Sequence, residues 1–405
     1  MQDYKNISAI LLFLPVAAFI LLNFLSAYYI TSYNVYNGDF LGVPLRQSHA
    51  EVWIAAAIAS LPYLILFFMI YRIAPTNIKS VYIPNLFLYF SLIILTISLL
   101  LTVFYGVGMM ATGIYSVPSI IKPVVVVINR IEPITLSSLL LLSPYIKWRA
   151  ALIISSLLLL ITIFRGSLMT VPILLMIFFY RFFIVSNNKN NLNSSFWIFL
   201  LSLAIIIFII YFLPQIYEIR DSMRGVSADS MPVFDLIFGK LIGRMSNVSA
   251  LLIFDWRFDL FKEGIDQLPY FSYLIDALKY IWGGFIKTPV MNHYDYFTSI
   301  NDHYAYGFYA MQSGTIPAIG ISMMKSPLIG VFDIMLTILC IYYVVKLTTF
   351  FLGENGKYLA MILMVFPILS GAPNQFALPI YNFIFIIVIF TIIKYLSYSY
   401  KNKET

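Results

Sequence analysis

Five features of this chain carry residue types able to do chemistry. The first is Arg165, set between two apolar runs in Thr162-Ile163-Phe164-Arg165-Gly166-Ser167-Leu168. An arginine beside hydrocarbon is costly, by about 3 kcal/mol or more. It could snorkel to water, or it could hold an anion. Gly166 would let a ligand approach the backbone, Ser167 would cap the next helix, and a helix N-terminus beside a guanidinium attracts phosphate. The second feature is Arg220 and Arg224 in Glu218-Ile219-Arg220-Asp221-Ser222-Met223-Arg224. On one helix face they would repel, unless an anion sits between them or Glu218 and Asp221 pair with them. Arg244 follows in a glycine-bearing stretch, Gly239-Lys240-Leu241-Ile242-Gly243-Arg244. Arg257, between Asp255 and Asp259, reads as a solvated ion-pair residue. The fifth feature is Asn292-His293-Tyr294-Asp295 with Asn301-Asp302-His303-Tyr304, holding two of the chain's 3 histidines. This group could deprotonate a hydroxyl, could bind a divalent metal through His293, Asp295, Asp302 and His303, or could be plain surface polarity. The metal spacing matches no common site, so neither metal nor cofactor is expected. Tyr294, Tyr296, Phe297, Tyr304, Tyr306, Phe308 and Tyr309 could stack on sugars or form an interfacial belt.

The elements that must position these groups are membrane spans. The 405 residues are 61% hydrophobic and 11% charged, with mean hydropathy +0.89. A soluble domain is about half apolar and a quarter charged, so a cytosolic enzyme, a disordered tail and a disulfide scaffold are all excluded. The single cysteine, Cys340, lies in an apolar run and can form no intrachain disulfide. The first run, Ile10–Ile30, is too long for a leader and has no small-residue cleavage site after it, so it reads as a retained span. Nine further runs of roughly the length that crosses a bilayer follow: 52–71, 81–105, 121–142, 150–164, 168–185, 196–213, 328–347, 359–369 and 377–396. The fourth of the ten spans carries Lys122, Arg130 and Glu132 and reads as partly re-entrant or buried against other helices. The eighth carries Asp333, a candidate buried polar partner.

Arg72, Lys79, Lys147, Arg149, Arg181, Lys189, Lys346, Lys357 and the C-terminal lysines fall on one side, which the positive-inside rule makes cytoplasmic. Ten spans then place both termini inside. The segment 214–316 lies outside and holds 11 of the chain's 18 acidic residues but only 8 of its 25 basic ones. The excess positive charge is therefore a topology signal, and nucleic-acid binding is excluded. The layout divides into an N-terminal bundle (1–213), a large outward loop (214–316) and a C-terminal bundle (317–405). A long structured loop of this kind is a usual home for function. No internal repeat is evident and most spans are uncharged in mid-course, which weighs against a transporter.

The turn Phe164-Arg165-Gly166-Ser167-Leu168, the late outward loop and the few closing spans resemble the bacterial O-antigen polymerases (the Wzy family), within the O-antigen polymerase and ligase superfamily. His303 followed by Gly314-Thr315-Ile316-Pro317 is similar to the ligase pattern of a histidine before a glycine-led helix, with Tyr304 where that pattern has a small polar residue. The resemblance implies an all-α polytopic fold of GT-C-like kind in a bacterial inner membrane, with its active site facing the periplasm. It implies a glycosyltransferase that polymerises undecaprenyl-diphosphate-linked oligosaccharide, with a chain-length regulator (Wzz-like) as partner. On this reading Arg165, Arg220, Arg224 and Arg244 hold the diphosphate. His303 or Asp302 is the base, and His293, Asp295 and Tyr304 touch sugar. A ligase with the same donor chemistry, or a flippase for lipid-linked sugars, are the alternatives.

Overall fold

The structure is a computed structural model that describes residues 2–74, 78–108, 117–128, 130–165, 170–188, 234–282, 291–304 and 314–401. Among the described residues there is no strand, only a single antiparallel bridge between Val35 and Pro44. Among the described residues, six helical segments are long and apolar enough to cross a membrane: Ala9–Tyr33, His49–Ile73, Asn85–Tyr105, Trp148–Arg165, Pro327–Ser370 and Pro373–Tyr395. The protein is thus an all-helical membrane-embedded chain. The predicted runs 328–347 and 359–369 fall together in the fifth of these segments. The run 121–142 is divided between two short helices because Pro133 opens a new one. The run 196–213 lies outside the described residues.

The chain forms two compact units, Met1–Ala74 with Met231–Lys346 and Leu363–Ile380, and Pro75–Ser230 with Leu347–Ile362 and Tyr381–Thr405. In the first unit, α1 (Gln2–Tyr33) and α2 (His49–Ile73) pack antiparallel. The register is read from the pairs Phe13–Phe67, Phe19–Tyr63 and Phe24–Trp53, whose numbers rise on one helix as they fall on the other. Ser48 starts α2 through a reciprocal cap. Its hydroxyl accepts from the Glu51 amide, and the Glu51 carboxylate accepts from the Ser48 amide at 2.7 Å, which satisfies two otherwise orphaned donors.

The loop between α1 and α2 folds against segments from far along the chain. One apolar core takes Ala27, Ile30, Tyr36, Phe40, Val52 and Ala59 from the N-terminal part, Val248, Leu252, Ile253, Phe254 and Phe261 from the middle, and Tyr296, Phe297 and Ile300 beyond it. The middle part comprises a π-helical turn (Asp235–Ile242), α8 (Val248–Trp256), α9 (Phe258–Glu263), α10 (Ser272–Trp282), α11 (His293–Tyr304) and α12 (Thr315–Lys325). Then come α13 (Pro327–Leu352), α14 (Gly356–Ser370) and α15 (Pro373–Lys401).

The second unit holds α3 (Asn85–Tyr105), α4 (Lys122–Ile128), α5 (Pro133–Leu142), α6 (Trp148–Arg165) and α7 (Thr170–Asn188). Helices α3 and α6 run parallel. Tyr82 meets Tyr145 before their N-termini, and Arg165 meets Ser98 and Thr102 near their C-termini. Arg181 is buried on α7 and donates to the carbonyls of Leu141 and, at 2.6 Å, Ile146. It thus serves the C-terminal end of α5, where carbonyls lack helical partners and positive charge is favoured.

Candidate functional site

Arg165 ends α6 in a defined pose. Its Nη2 donates to the Ser98 hydroxyl at 3.1 Å and its Nε to the Thr102 hydroxyl at 3.3 Å. Ser98 and Thr102 stand four apart on α3 and so share one face. Gly108 has φ +78°, and a Cβ there would lie 2.8 Å from Nε of Arg165, so only a glycine lets this loop lie against the guanidinium. The charge acting on Arg165 is that of Glu132. Glu132 accepts from the Thr135 hydroxyl at 3.0 Å, and its amide donates to Asn382 Oδ1 at 3.2 Å. Arg130 donates to the Tyr381 hydroxyl and lies over that ring. Arg130, Glu132 and Arg165 from the N-terminal part thus meet Tyr381 and Asn382 of α15 in one polar cluster.

Arg244 belongs to the first unit. Its Nε donates to Asp39 Oδ1 at 2.5 Å, with the Asp39 side chain buried. Asp39 is placed by the loop after α1, where Asn37 is fixed by Ser26 (3.0 Å) and Ser249 (2.7 Å). Arg220 and Arg224, together with Gly166 and Ser167, lie outside the described residues. The four predicted phosphate-binding arginines therefore divide into one in each unit, each with an acidic residue beside it, and two that are not described.

The histidine group divides as well. His303 and Asp302, with Tyr304, stand in the last turn of α11, and their side chains lie outside what is described. Asp295 is exposed, and its amide donates to Asn292 Oδ1 at 2.8 Å, an N-terminal turn contact. His293 is buried between Ser272 and Ser322, and burial pushes its imidazole down to about 4. The ring is enclosed by protein in the structure and does not lie on the solvent-facing surface where a sugar contact was expected. Among the described residues no three His, Cys, Asp or Glu side chains gather as a metal site would require.

Two features were missed in the sequence. Trp256 carries two cations, with Arg257 4.8 Å and Arg46 5.5 Å from its ring centroid. Arg257 is buried rather than solvated. The indole beside it takes up the guanidinium face, and its flanking aspartates gave a misleading solvent-exposed signal. Only the aromatic neighbour at 256 could have signalled this.

The second missed feature is a polar seam in the first unit. Asn23 lies about 15 Å along the axis from the end of α1 at Tyr33. It donates to Ser60 at 3.1 Å and accepts from the Asn247 amide at 3.2 Å. Asn247 donates onward to the Ile368 carbonyl at 3.2 Å, which also accepts from Thr315 at 2.6 Å. The Gly314 amide donates to Ser370 at 3.2 Å. The C-terminus of α14 thus meets the N-termini of α8 and α12 beside the middle of α1. Gly371, at φ +66°, permits this, since a Cβ there would collide with the Gly314 carbonyl. Scattered single Asn, Thr and Gly residues give no motif from which the junction could be read.

No protein-family model matches the chain, and neither a curated protein nor a solved structure matches it.

Proposed function

We propose that this protein is a polytopic glycosyltransferase that elongates an undecaprenyl-diphosphate-linked glycan at the periplasmic face of a bacterial inner membrane. The observation that carries the reading is Arg165, oriented by Ser98 and Thr102 at the ends of two parallel apolar helices. In the ten-span layout those ends face outward, where a lipid diphosphate would sit. Glycosyl transfer leaves charge on the diphosphate, and a fixed, permanently charged guanidinium stabilises it as it develops. Arg220 and Arg224 are proposed as further diphosphate contacts. Arg244 would need to share its charge with Asp39 to act as one. The base for the acceptor hydroxyl is assigned to His303 or Asp302. A chain-length regulator is the proposed partner.

The test is elongation by purified protein in proteoliposomes given undecaprenyl-diphosphate-linked repeat units. Removing one such donor costs about 10²–10³ in rate, so Arg165→Ala should lose the polymer ladder at normal protein level. Unchanged elongation in Arg165→Ala refutes the assignment. A ligase is separated by gene disruption: loss of a polymerase leaves single repeat units on lipopolysaccharide, whereas loss of a ligase leaves none.

A second reading, a flippase for the same lipid-linked sugars, is favoured by the polar seam. Helix ends that meet beside the middle of a span are characteristic of substrate sites in transporters. Movement of the lipid-linked unit across the vesicle without elongation selects this reading.

A further inference from the structure

Three hydrogen bonds in the first unit join α10, α11, α12 and α13 in one line. Ser272 Oγ lies 3.3 Å from Nδ1 of His293, Nε2 of His293 lies 2.5 Å from Oγ of Ser322, and that hydroxyl lies 2.6 Å from Oδ2 of Asp333. All four side chains are buried. Asp333 Oδ1 has no hydrogen-bond partner among the described residues. Neither the diphosphate-binding reading nor the flippase reading uses these groups.

A hydroxyl between an imidazole and a carboxyl donates in only one direction at a time. When Ser322 donates to Asp333, Nε2 of His293 carries a proton and donates to Ser322. When Ser322 donates to Nε2, the carboxyl holds the proton and donates to Ser322. With Nδ1 protonated toward Ser272, these are an imidazolium with a carboxylate and a neutral imidazole with a carboxylic acid. Both hold the same number of protons. Two short hops, carboxyl to hydroxyl and hydroxyl to imidazole, interconvert them. Loss of the Nδ1 proton from the first leaves neutral imidazole and carboxylate, with Ser272 then donating to Nδ1.

We propose that His293 and Asp333 form one proton-binding site, holding a single exchangeable proton that they share through the Ser322 hydroxyl. A buried charge is costly unless it is paired and hydrogen-bonded. A lone buried imidazole therefore resists protonation, and burial alone sets its affinity low. A carboxylate one hydroxyl away supplies the compensating charge and raises that affinity. When the bound proton sits on the Asp333 carboxyl, the contact that joins α12 to α13 reverses direction, so the proton's position is linked to the packing of that helical hairpin.

Other titratable groups stand on the elements that pack around this line. From α10 come Tyr273, edge-on to the imidazole at 5.4 Å and hydrogen-bonded to Thr337 at 2.7 Å, and Asp276, which accepts from Asn292 at 3.0 Å and from the Asn374 amide at 3.2 Å. From α11 comes Asp295, exposed, from α12 Lys325, near Asp266, and from α13 Cys340.

The test is histidine NMR of the full-length protein in nanodiscs, with ring-labelled histidine. The chain has 3 histidines, His49, His293 and His303, and the His293 signal is the one lost in His293→Gln. The wild-type signal is expected to titrate at a pH at least about one unit above that in Asp333→Asn or Ser322→Ala, a tenfold difference in proton affinity. Ser322→Thr keeps the hydroxyl and should keep the wild-type midpoint. Equal midpoints in wild type and Asp333→Asn overturn the proposal. So does a shift in Ser322→Thr as large as in Asp333→Asn, because disturbed packing would then explain both. If Ser322→Ala does not fold, these two variants decide alone.

Discussion

The end of α14 gives a prediction whose size follows from its geometry. The Ile368 carbonyl receives Thr315 Oγ1 at 2.6 Å and Asn247 Nδ2 at 3.2 Å. Thr315→Val removes the shorter donor at nearly constant volume, and Asn247→Ala removes the longer. Either single change leaves one donor on the carbonyl, so each should cost about 1 kcal/mol, the net worth of one hydrogen bond. Between membrane helices the average is nearer about 0.6 kcal/mol. Asn247 Oδ1 has no hydrogen-bond partner among the described residues, which lowers the cost of losing that side chain. The double variant strips the carbonyl of both donors in a buried setting. That adds the desolvation penalty of an unpaired polar group, about 1–3 kcal/mol. The double variant should therefore lose more stability than the two singles combined, with a coupling of at least about 1 kcal/mol. Unfolding in mixed micelles with increasing denaturing detergent measures all four corners of the cycle. Additive single effects would show that Ile368 is not where the helix end is satisfied, and the seam would lose its structural basis.

Arg181→Lys should destabilise the second unit by about 1–3 kcal/mol, because one ammonium cannot reproduce the fork that spans the Leu141 and Ile146 carbonyls. An unchanged melting temperature would refute that role. Arg244→Ala should destabilise the first unit by about 1–3 kcal/mol, by removing the charge-assisted hydrogen bond to the buried Asp39 carboxylate. Adding Asp39→Asn should recover most of the loss, and failure of the double variant to recover would show that the pair is not what Arg244 contributes. Burial alone pushes His293 down to about 4, while an unfolded histidine titrates near 6.5. The unfolded chain therefore binds more protons between those values, and stability falls as pH drops through that window, by at most about 3 kcal/mol. Sharing of the proton with Asp333 shrinks this fall, so Asp333→Asn should show a steeper acid loss than wild type and His293→Gln a flatter one. Thermal unfolding at stepped pH measures both.

The long helices were legible because a span is a contiguous run. The predicted 10–30 and 52–71 fall inside Ala9–Tyr33 and His49–Ile73, and 377–396 nearly coincides with Pro373–Tyr395. Composition alone decides these, since about 20 apolar residues cross a bilayer core. The elements that build the first unit's interior were hidden for the same reason. Helices α8 and α12 have 9 and 11 residues, too short to register as spans, and they lie within or beside a stretch whose charge marked it as a loop. The charge balance was real, but it averages over Val248–Phe254, which is almost wholly apolar and buried. Ile121–Leu142 shows the converse error. Its mean hydropathy suits one span, yet Glu132 and Pro133 interrupt it, and the Glu132 amide is satisfied by Asn382, far away in the sequence.

The site residues were legible only as types. Arg165 stood out because a cation between two apolar runs is costly, and the structure supplies the groups that meet that cost, Ser98 and Thr102. Neither was legible as a partner. Serine and threonine inside a span ordinarily bond back to their own helix, as Thr102 does to the Ser98 carbonyl at 2.9 Å. What turns two ordinary hydroxyls into a cradle is the parallel register of α3 and α6. That register is a tertiary fact, and pattern within one segment does not encode it. The same holds for His293. In sequence it stood beside Asp295, the obvious carboxylate partner, but on α11 Asp295 points to solvent. The carboxylate on the His293 line, Asp333, comes from another helix through Ser322. Proximity in the chain favoured the exposed aspartate, whereas burial selected the distant one. A buried imidazole needs a hydrogen-bonding path, and an exposed carboxylate on its own helix cannot provide it.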